Sequence, residues 1–495
     1  MLINFNEYSQ DKIQASICII GGGPAAITAG KLLAEKGIDV VALESGDTNY
    51  TVEAQNLNAG VTEGSFLKKP NPDYLSKARL RYLGGTANHW EGWTRPFDSI
   101  DFQTREWISE SGWPIEYDEF RKYFDKAASD LGFSDFQNLD KRKIGKDILI
   151  KDSKFETVNF QMIPIRFQEF YKDFITVNSN FKIYYNATTT EIIPDITGKT
   201  IQSVIVKNLK GKTVNVYAEK FILAAGGIEN PRILLCSRSI HKNGIGNDKD
   251  LVGRYFADHP HMSAGLIIVY PGNKISKELY SITALTSKDH EVLGVIGILD
   301  KTINKHKLLN ASIEIKQSSW QKLPSEVQGQ MLAFAKIDKI RKRINNVDNI
   351  SKFSVYRAYL RAEQTPNRES RVTLLDEKDA LGMQKVKLDW RINNIDAESY
   401  RKALKLFGNE IAQAGFGRFW INYDGLWPKD SRGGYHHMGT TRMSNDPNKG
   451  VVDSNCKVHG IDNLFIAGSS VFPTYSAWNP TVNFLALVYR LIESF

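Results

Sequence analysis

Residues 15–26 read ASICIIGGGPAA, and this stretch decides the fold. Its first half, residues 15–20, is an apolar, β-branched run of strand length, which predicts a buried strand. Three glycines follow at once, and a helix-like stretch then continues through Leu33. A strand that enters a helix through a glycine turn is typical of a dinucleotide-binding βαβ unit.

Each position of this unit has a physical role. Gly21 allows the tight turn, Gly23 lets the backbone approach a pyrophosphate, and Ala26 is small enough for the helix to pack on the strand. The N-terminus of the helix faces the phosphates. A second buried run, residues 38–43, ends at Glu44, where an acid hydrogen-bonds a ribose 2′-OH. A glycine turn alone fits any doubly wound protein, but strand, helix and acid together favour a dinucleotide site.

The length and composition are those of a globular protein with two domains of ordinary size. The chain has 495 residues, of which 42% are hydrophobic and 24% charged, which excludes a disordered or fibrous chain. It has no run of about eighteen apolar residues, so we expect no membrane span. The N-terminus lacks the features of a secretory signal, and the three cysteines are scattered, with no spacing of a disulfide framework or a metal site. We therefore expect a cytoplasmic protein.

The net charge of +8 comes from 64 basic and 56 acidic residues. The densest basic run, residues 336–343, lies on a predicted helix, where a solvated helical face is the simpler interpretation. The alternative is a docking patch for an acidic partner or a phosphorylated substrate. No nucleic-acid-binding motif accompanies the run, so we expect no nucleic-acid partner.

Two later segments indicate that the chain returns to the sheet that starts at residue 15. The glycine turn at residues 224–227 follows the apolar run 221–223 and leads into a helix-like segment, 231–235. Residues 464–468 contain another apolar run that ends in glycine. The N-terminal, middle and C-terminal stretches therefore predict one discontinuous α/β domain of the Rossmann type.

Between these returns the pattern changes to sequential strands with flanking helices. This order predicts an inserted α+β domain on an antiparallel sheet, which we assign to substrate because ligand sites favour domain interfaces. The predicted strands are residues 265–270, 291–299, 310–316, 370–374 and 386–391, and the predicted helices are 325–345 and 396–415. We expect the cofactor domain to contain residues 1–150, 181–260 and 431–495, and the substrate domain residues 151–180 and 261–430.

The last sixty residues carry the candidate catalytic groups. Residues 436–440 read HHMGT, and residues 479–481 read NPT. A histidine, with an ordinary pKa of about 6.5, suits removal of a proton at neutral pH. An amide can hydrogen-bond a substrate oxygen in either protonation state. The alternative is a buried histidine that only holds a glycine-rich loop by hydrogen bonds.

Together these segments resemble the glucose–methanol–choline (GMC) oxidoreductase family of flavoproteins over nearly the whole chain, and most closely its bacterial and pyranose-oxidase-like members. The motifs are the first glycine turn with ESG at 44–46, LGGTANHW at 83–90, LAAGGIEN at 223–230, SRV at 370–372, and the two C-terminal segments. The resemblance implies FAD rather than NAD. It also implies hydride transfer from an alcohol CH–OH group to flavin N5, on a sugar, aminosugar, cyclitol or glycoside. The electron acceptor, whether dioxygen, a quinone or a protein, stays open.

The resemblance also assigns roles to residues. The family's base lies three residues before Gly-Thr, which makes His436 the predicted base and leaves His437 to packing, and the amide is Asn479. His89 keeps the offset at which several members bind flavin covalently, whereas others hold FAD noncovalently in a similar loop. Many members carry an acid where Gly468 stands, so that contact departs from the pattern. The predicted FAD-binding residues are Gly21, Gly22, Gly23, Pro24, Ala25, Ala26, Glu44, Ser45, Gly84, Gly85, Thr86, Asn88, His89, Ala225, Gly468, Pro480 and Thr481.

Three other functions share part of this pattern. Hydroxynitrile lyases have the same architecture and bind FAD that substrate does not reduce. Flavin monooxygenases and halogenases also begin with a glycine turn, but they need NAD(P)H or a partner reductase and lack the pair His436 and Asn479. A protein that keeps FAD only for structure has no use for that pair.

Overall fold

The computed structural model describes residues 1–64, 73–140, 147–284, 290–319, 321, 323–340, 353–422 and 431–495. Its strands are β1 (Leu2–Asn4), β2 (Lys12–Ile20), β3 (Val40–Leu43), β4 (Gly60–Glu63), β5 (Trp93–Thr94), β6 (Phe155–Met162), β7 (Phe181–Tyr185), β8 (Thr188–Pro194), β9 (Ile201–Lys207), β10 (Thr213–Leu223), β11 (Pro260–Val269), β12 (Thr283–Ala284), β13 (Glu291–Ile298), β14 (Ala311–Ser318), β15 (Ser354–Ala362), β16 (Arg371–Lys378), β17 (Gln384–Asp389), β18 (Gly417–Ile421), β19 (Arg432–Gly433) and β20 (Leu464–Ile466).

Helices connect and cover these strands. The α-helices are α1 (Pro24–Glu35), α2 (Val52–Asn56), α3 (Tyr74–Lys77), α4 (Ser99–Phe102), α5 (Tyr117–Asp130), α6 (Phe136–Asp140), α7 (Phe167–Phe170), α8 (Lys172–Val177), α9 (Gly226–Cys236), α10 (Lys277–Tyr280), α11 (Asp300–His306), α12 (Ser325–Ile340), α13 (Asn394–Gln413) and α14 (Pro480–Glu493). Among the described residues, no helix is long and apolar enough to cross a membrane.

The first sheet gathers strands from the two ends and the middle of the chain. Its parallel part has the order β1-β7-β3-β2-β10, and β20 pairs with the end of β10. β9 pairs antiparallel with the start of β10, and β8 extends this hairpin. The predicted returns near residues 220 and 464 are therefore confirmed. The carboxyl ends of β2, β10 and β20 meet at one edge, where doubly wound sheets bind their ligands.

The second sheet is antiparallel, with the order β18-β11-β15-β14-β13-β6-β5. Residues directly opposite each other in neighbouring strands share a face. Met262, Leu360 and Ile313 form such a row, and they pack in one apolar cluster with Tyr400 and Leu404 of α13. One face of the sheet thus lies against α13, and α12 covers part of the other face, where Val327 and Met331 pack with Leu266 and Ile268 of β11.

Two predicted strands lie outside the large antiparallel sheet. β16 and β17 pair with each other and with β4, which runs parallel to β17, and they form a separate three-stranded sheet. The reason is a separate core, in which Val372 and Leu388 pack with Trp390, Leu75 and Ile228. Short alternating runs indicate strands but do not identify the sheet that they join.

Some boundaries also differ from those expected. The helix predicted at 231–235 begins at Gly226, because the glycine turn itself forms its first residues. Residues 341–345 of the predicted helix 325–345, and the end of the basic run 336–343, lie outside the described residues. The predicted domain boundaries remain predictions.

Candidate active site

The first glycine turn lies against two other loops. Gly21 has φ +125°, and a Cβ on it would lie 2.5 Å from the carbonyl oxygen of Ala224, which follows β10. The backbone N–H of Gly84 donates to the carbonyl of Gly22 at 2.8 Å. A residue without Cβ permits both the positive φ and the close approach. The turn after β2 is thereby held in contact with the turn after β10 and with the loop at residues 83–90.

Three glycines border open space at the carboxyl edge of the first sheet. A Cβ on Gly23, Gly226 or Gly468 would meet no protein atom within 4 Å. These glycines follow β2, β10 and β20 respectively. Gly23 also caps α1, whose N-terminus attracts an anion because its first N–H groups have no partner within the helix. The residues therefore fit a dinucleotide, and Gly23 with the start of α1 would hold its pyrophosphate.

Glu44 is buried at the end of β3. Its Oε1 accepts a hydrogen bond from the backbone N–H of Gly46 at 2.7 Å. Burial raises the pKa of Glu44 above its ordinary value. A Cβ on Gly22 would lie 2.5 Å from Glu44 Oε2, so Gly22 makes room for this acid. Ser45 Oγ accepts a hydrogen bond from Arg81 Nη1 at 2.9 Å.

The loop after Leu83 contains a 3-10 helix, Gly85–His89. Asn88 Nδ2 donates to the carbonyl of Leu83 at 2.8 Å, whereas Asn88 Oδ1 is buried without a hydrogen bond to any described residue. Thr86 and His89 are exposed. The loop is thus fixed by its asparagine and presents its histidine outward. Covalent attachment of flavin through His89 remains a prediction.

Asn230, which was not among the predicted site residues, joins the glycine turn after β10 to the glycine turn after β20. The backbone N–H of Ala225 donates to Asn230 Oδ1 at 2.7 Å, and Asn230 Nδ2 donates to Ser470 Oγ at 2.9 Å. Asn230 is fully buried. It holds Ala225 and the segment after Gly468 in fixed relation.

Asp258 holds the loop that carries the predicted base. Its carboxylate accepts the backbone N–H groups of Gly434 at 3.1 Å, Tyr435 at 3.0 Å and His436 at 2.8 Å. Tyr435 has φ +63°, a conformation that this row of hydrogen bonds maintains. Burial raises the pKa of Asp258 to about 6.

A chain of hydrogen bonds fixes the protons of His436. His436 Nδ1 lies 2.9 Å from His259 Nδ1, and His259 Nε2 lies 2.9 Å from the carbonyl oxygen of Tyr475. Because a carbonyl only accepts, His259 Nε2 carries a proton. Burial lowers the pKa of His259 to about 4, so its Nδ1 is bare at neutral pH and accepts the Nδ1 proton of His436. His436 Nε2 is therefore unprotonated and able to accept a proton.

The neighbouring histidine, His437, uses its Nε2 proton in a different hydrogen bond. Tyr74 donates its hydroxyl proton to Asp258 Oδ2 at 2.9 Å, so His437 Nε2, 3.1 Å from that hydroxyl, is the donor to Tyr74. The His437 ring packs on Phe256 with 5.7 Å between ring centroids. Burial lowers the pKa of His437 to about 3. This geometry favours His436 over His437 as the base.

Asn479 lies at the N-terminus of α14, directly before Pro480. Its side chain does not cap the helix, and none of the described residues hydrogen-bonds to it. Its carbonyl accepts from Asn483 Nδ2 at 2.8 Å, which fixes the backbone. His436 and Asn479 are not bonded to each other. They are linked through His259 and Tyr475, four residues before Asn479.

The sequence contained a signal for the missed residues. Residues 258–261 read DHPH and lie at the start of β11. An acid and two histidines at the start of a predicted strand mark a candidate site. Their contacts with His436, however, join positions more than 170 residues apart, so no local pattern identifies them.

Family models and known proteins match this chain in sequence. The N-terminal and C-terminal family models of GMC oxidoreductases match residues 168–261 and 366–487. The large subunit of fructose dehydrogenase from Gluconobacter japonicus is 26% identical over 56% of this chain and 47% of its own length, so the chain spans about half of that relative. The 2-methyl-1,2-propanediol dehydrogenase of Mycolicibacterium austroafricanum is 21% identical over 96% of this chain and 94% of its own.

A solved structure shares the fold. The pyridoxine 4-oxidase from Mesorbium loti superimposes with a TM-score of 0.60 at 16% identity, over 97% of this chain and 99% of its own. At this identity the likeness shows the fold alone.

Proposed function

Since the chain is a member of the GMC oxidoreductase family, whose enzymes bind FAD, we propose that it oxidises an alcohol CH–OH group to a ketone or aldehyde. FAD supplies the acceptor for the hydride from the alcohol carbon. The observation that carries the proposal is the contact between His436 Nδ1 and His259 Nδ1 at 2.9 Å, with His259 Nε2 on the carbonyl of Tyr475, from which we infer an unprotonated Nε2 on His436.

The chain's own residues handle the proton and the substrate oxygen. His436 takes the hydroxyl proton at Nε2. Its Nδ1–H continues to donate a hydrogen bond to His259 Nδ1, 2.9 Å away. That bond strengthens as His436 becomes charged, which favours the transfer. The free amide of Asn479 holds the substrate oxygen as the proton leaves. Asp258 keeps the backbone of the base in place through three N–H groups.

Residues at the sheet edge would hold the cofactor. Gly23 and the start of α1 would bind the pyrophosphate, Glu44 would bind the ribose, and Gly226 and Gly468 border open space beside them. Gly84, Gly85, Pro480 and Thr481 are the further residues that we propose for FAD binding. The substrate that we propose is a sugar, aminosugar, cyclitol or glycoside, consistent with relatives named for fructose and for a diol.

Anaerobic mixing tests the proposed function. The FAD-loaded protein is mixed with D-glucose, myo-inositol, trans-cyclohexane-1,2-diol and cyclohexanol, and the visible absorbance of oxidised flavin is followed. We expect at least one alcohol to bleach the flavin. Flavin that stays oxidised with every alcohol, but is reduced by dithionite, would instead indicate the non-redox lyase.

The rate of bleaching should depend on pH in a way that reports the state of His436. Burial, together with His259, His261, His437 and Arg361, lowers the pKa of His436 well below 6.5. The base thus stays unprotonated as pH falls through 6.5, and the reduction rate constant should stay constant from about pH 8 to about pH 6.5 and decline only below. Stopped-flow measurement at constant FAD content checks this. A rate that is already halved at pH 6.5 would contradict it.

Substitution of His259 should slow bleaching without releasing FAD. In His259→Leu nothing accepts the Nδ1 proton of His436, so the ring loses its fixed tautomer, and we expect a loss of about 10- to 100-fold in the reduction rate constant. In His259→Gln the side-chain carbonyl can accept that proton, and most of the rate should return. The effect acts through the base, so in a His436→Ala background His259→Leu should not lower the reduction rate constant any further. Equal losses in Leu and Gln variants would indicate a packing role only.

A further inference from the structure

A row of polar residues crosses three strands of the antiparallel sheet beside the predicted base. His261 of β11 lies opposite Arg361 of β15, and Arg361 lies opposite Ser312 of β14. The next residue in the row is Gly297 of β13. Opposed residues share a face, and the adjacent row lies in the core against α13. This polar row therefore lies on the face turned away from α13.

The row borders the candidate active site. The rings of His261 and His436 lie 5.9 Å apart between centroids. The Arg361 guanidinium lies 4.6 Å from the centroid of Trp93, in the segment that follows the loop at residues 83–90. At the far end, a Cβ on Gly297 would lie 3.5 Å from Trp478, the residue before Asn479. The polar row thus spans the distance between the base and the amide segment.

Three polar atoms in this row have no hydrogen bond to the described residues. They are His261 Nε2, Arg361 Nη1 and Ser312 Oγ, and all three are buried. Buried polar groups without partners are rare in folded proteins, because each loses its hydration. Three of them on adjacent strands indicate a ligand that supplies the partners.

The chemistry of the row selects among ligands. Arg361 Nη2 is already paired with Glu314 Oε2 at 2.7 Å, and the exposed Lys316 Nζ lies 2.9 Å from Glu314 Oε1. Burial lowers the pKa of His261 well below 6.5, so that ring is neutral. The guanidinium donates, while the hydroxyl and the neutral imidazole donate or accept, so the row can bind hydroxyl groups, which also donate and accept.

We propose that His261, Arg361 and Ser312 form a subsite that binds the hydroxyl groups next to the reacting CH–OH of a polyhydroxylated substrate. This inference rests on the proposed function and deepens it, because it identifies the residues that select the substrate class. A site built to hydrogen-bond a hydroxyl discriminates strongly against an analogue that lacks it.

The test compares an alcohol with its diol. Trans-cyclohexane-1,2-diol adds one neighbouring hydroxyl to cyclohexanol, and D-glucose and myo-inositol add more. The second-order rate constant for anaerobic bleaching is measured for each with the FAD-loaded protein, and the dissociation constant of the diol is measured by calorimetry on dithionite-reduced protein, in which no turnover occurs. We expect a preference for polyols over cyclohexanol of about tenfold or more.

Two variants and a control test whether the polar row causes that preference. Ser312→Ala removes one buried hydroxyl with little change in volume. Arg361→Lys replaces the guanidinium by an ammonium group, which removes Nη1 but keeps a positive charge beside Glu314. Each should lower the preference for polyols by about fivefold to tenfold and weaken diol binding to a similar degree. Ser318→Ala, on the same strand and the same face but at the far end of β14, is the matched control and should change neither.

The outcomes separate the two proposals. Bleaching by polyols that is faster than by cyclohexanol, and that is reduced in Ser312→Ala and Arg361→Lys but not in Ser318→Ala, supports the subsite. Bleaching by cyclohexanol as fast as by the polyols, or variants that keep the preference and the diol affinity, overturns the subsite and leaves the proposed function standing. Bleaching by none of the alcohols overturns the proposed function, and the subsite with it.

Discussion

His436→Ala should lose the reduction of bound FAD by an alcohol, with a fall in the reduction rate constant of about a thousandfold or more. The substitution removes Nε2, which the hydrogen bonds of His259 leave unprotonated. It leaves the loop in place, because Asp258 binds backbone N–H groups rather than the ring. FAD content should therefore stay near one per chain. Stopped-flow bleaching under anaerobic conditions, with the flavin-to-protein absorbance ratio, measures both quantities.

The adjacent histidine supplies the matched control. His437 donates its Nε2 proton to Tyr74 and packs on Phe256. In His437→Gln the side-chain amide can keep the donation to Tyr74, and the rate constant should stay within about tenfold of the wild-type value. If His436→Ala bleaches at the wild-type rate while His437→Gln is inactive, the two histidines have been assigned in the wrong order.

Gly23→Ala should weaken FAD binding by about 10- to 100-fold while the apoprotein keeps its stability. The added Cβ meets no protein atom within 4 Å, and Gly23 has φ −84°, which alanine adopts without strain. The methyl group instead occupies the space in which the pyrophosphate approaches the backbone. The free energy of unfolding of the apoprotein should change by less than about 0.5 kcal/mol. Titration of apoprotein with FAD and urea unfolding of apoprotein measure the two quantities.

Substitutions at two other glycines serve as controls for this experiment. Gly329→Ala also adds a Cβ that meets nothing within 4 Å, but at an exposed position of helix α12, so FAD affinity should not change. Gly21→Ala places a Cβ 2.5 Å from the carbonyl oxygen of Ala224 at φ +125°, so it should destabilise the apoprotein itself. Gly23→Ala that binds FAD as tightly as wild type, with Gly21→Ala equally stable, would show that the pyrophosphate does not lie at this edge.

The sequence predicted the parts of the fold that local chemistry determines. The strand, glycine turn and helix at residues 15–33, and the returns at 221–223 and 464–466, have apolar runs that end in glycine, and each occurs in the structure. The sheet to which β16 and β17 belong was predicted wrongly. It depends on a separate core around Trp390, a long-range contact that periodicity does not contain.

The candidate site divides in the same way. His436 and Asn479 lie in short motifs, so a sequence can predict them, and their roles remain predictions. His259, which sets the protons of His436, and Asp258, which holds its backbone, come from a segment more than 170 residues earlier. Their roles depend on tertiary hydrogen bonds, as do those of the cross-strand neighbours Arg361 and Ser312. A sequence indicates the residue types at such positions but not the pairs that they form.

The most direct test of the central claim is anaerobic mixing of the FAD-loaded wild-type protein with the polyol that reacts fastest, prepared with hydrogen or with deuterium on the reacting carbon. If His436 removes the hydroxyl proton while a hydride leaves that carbon, the flavin is bleached, a carbonyl product is formed in an amount equal to the flavin, and deuterium slows the bleaching. Flavin that remains oxidised with every alcohol, or bleaching without a carbonyl product, would contradict the account.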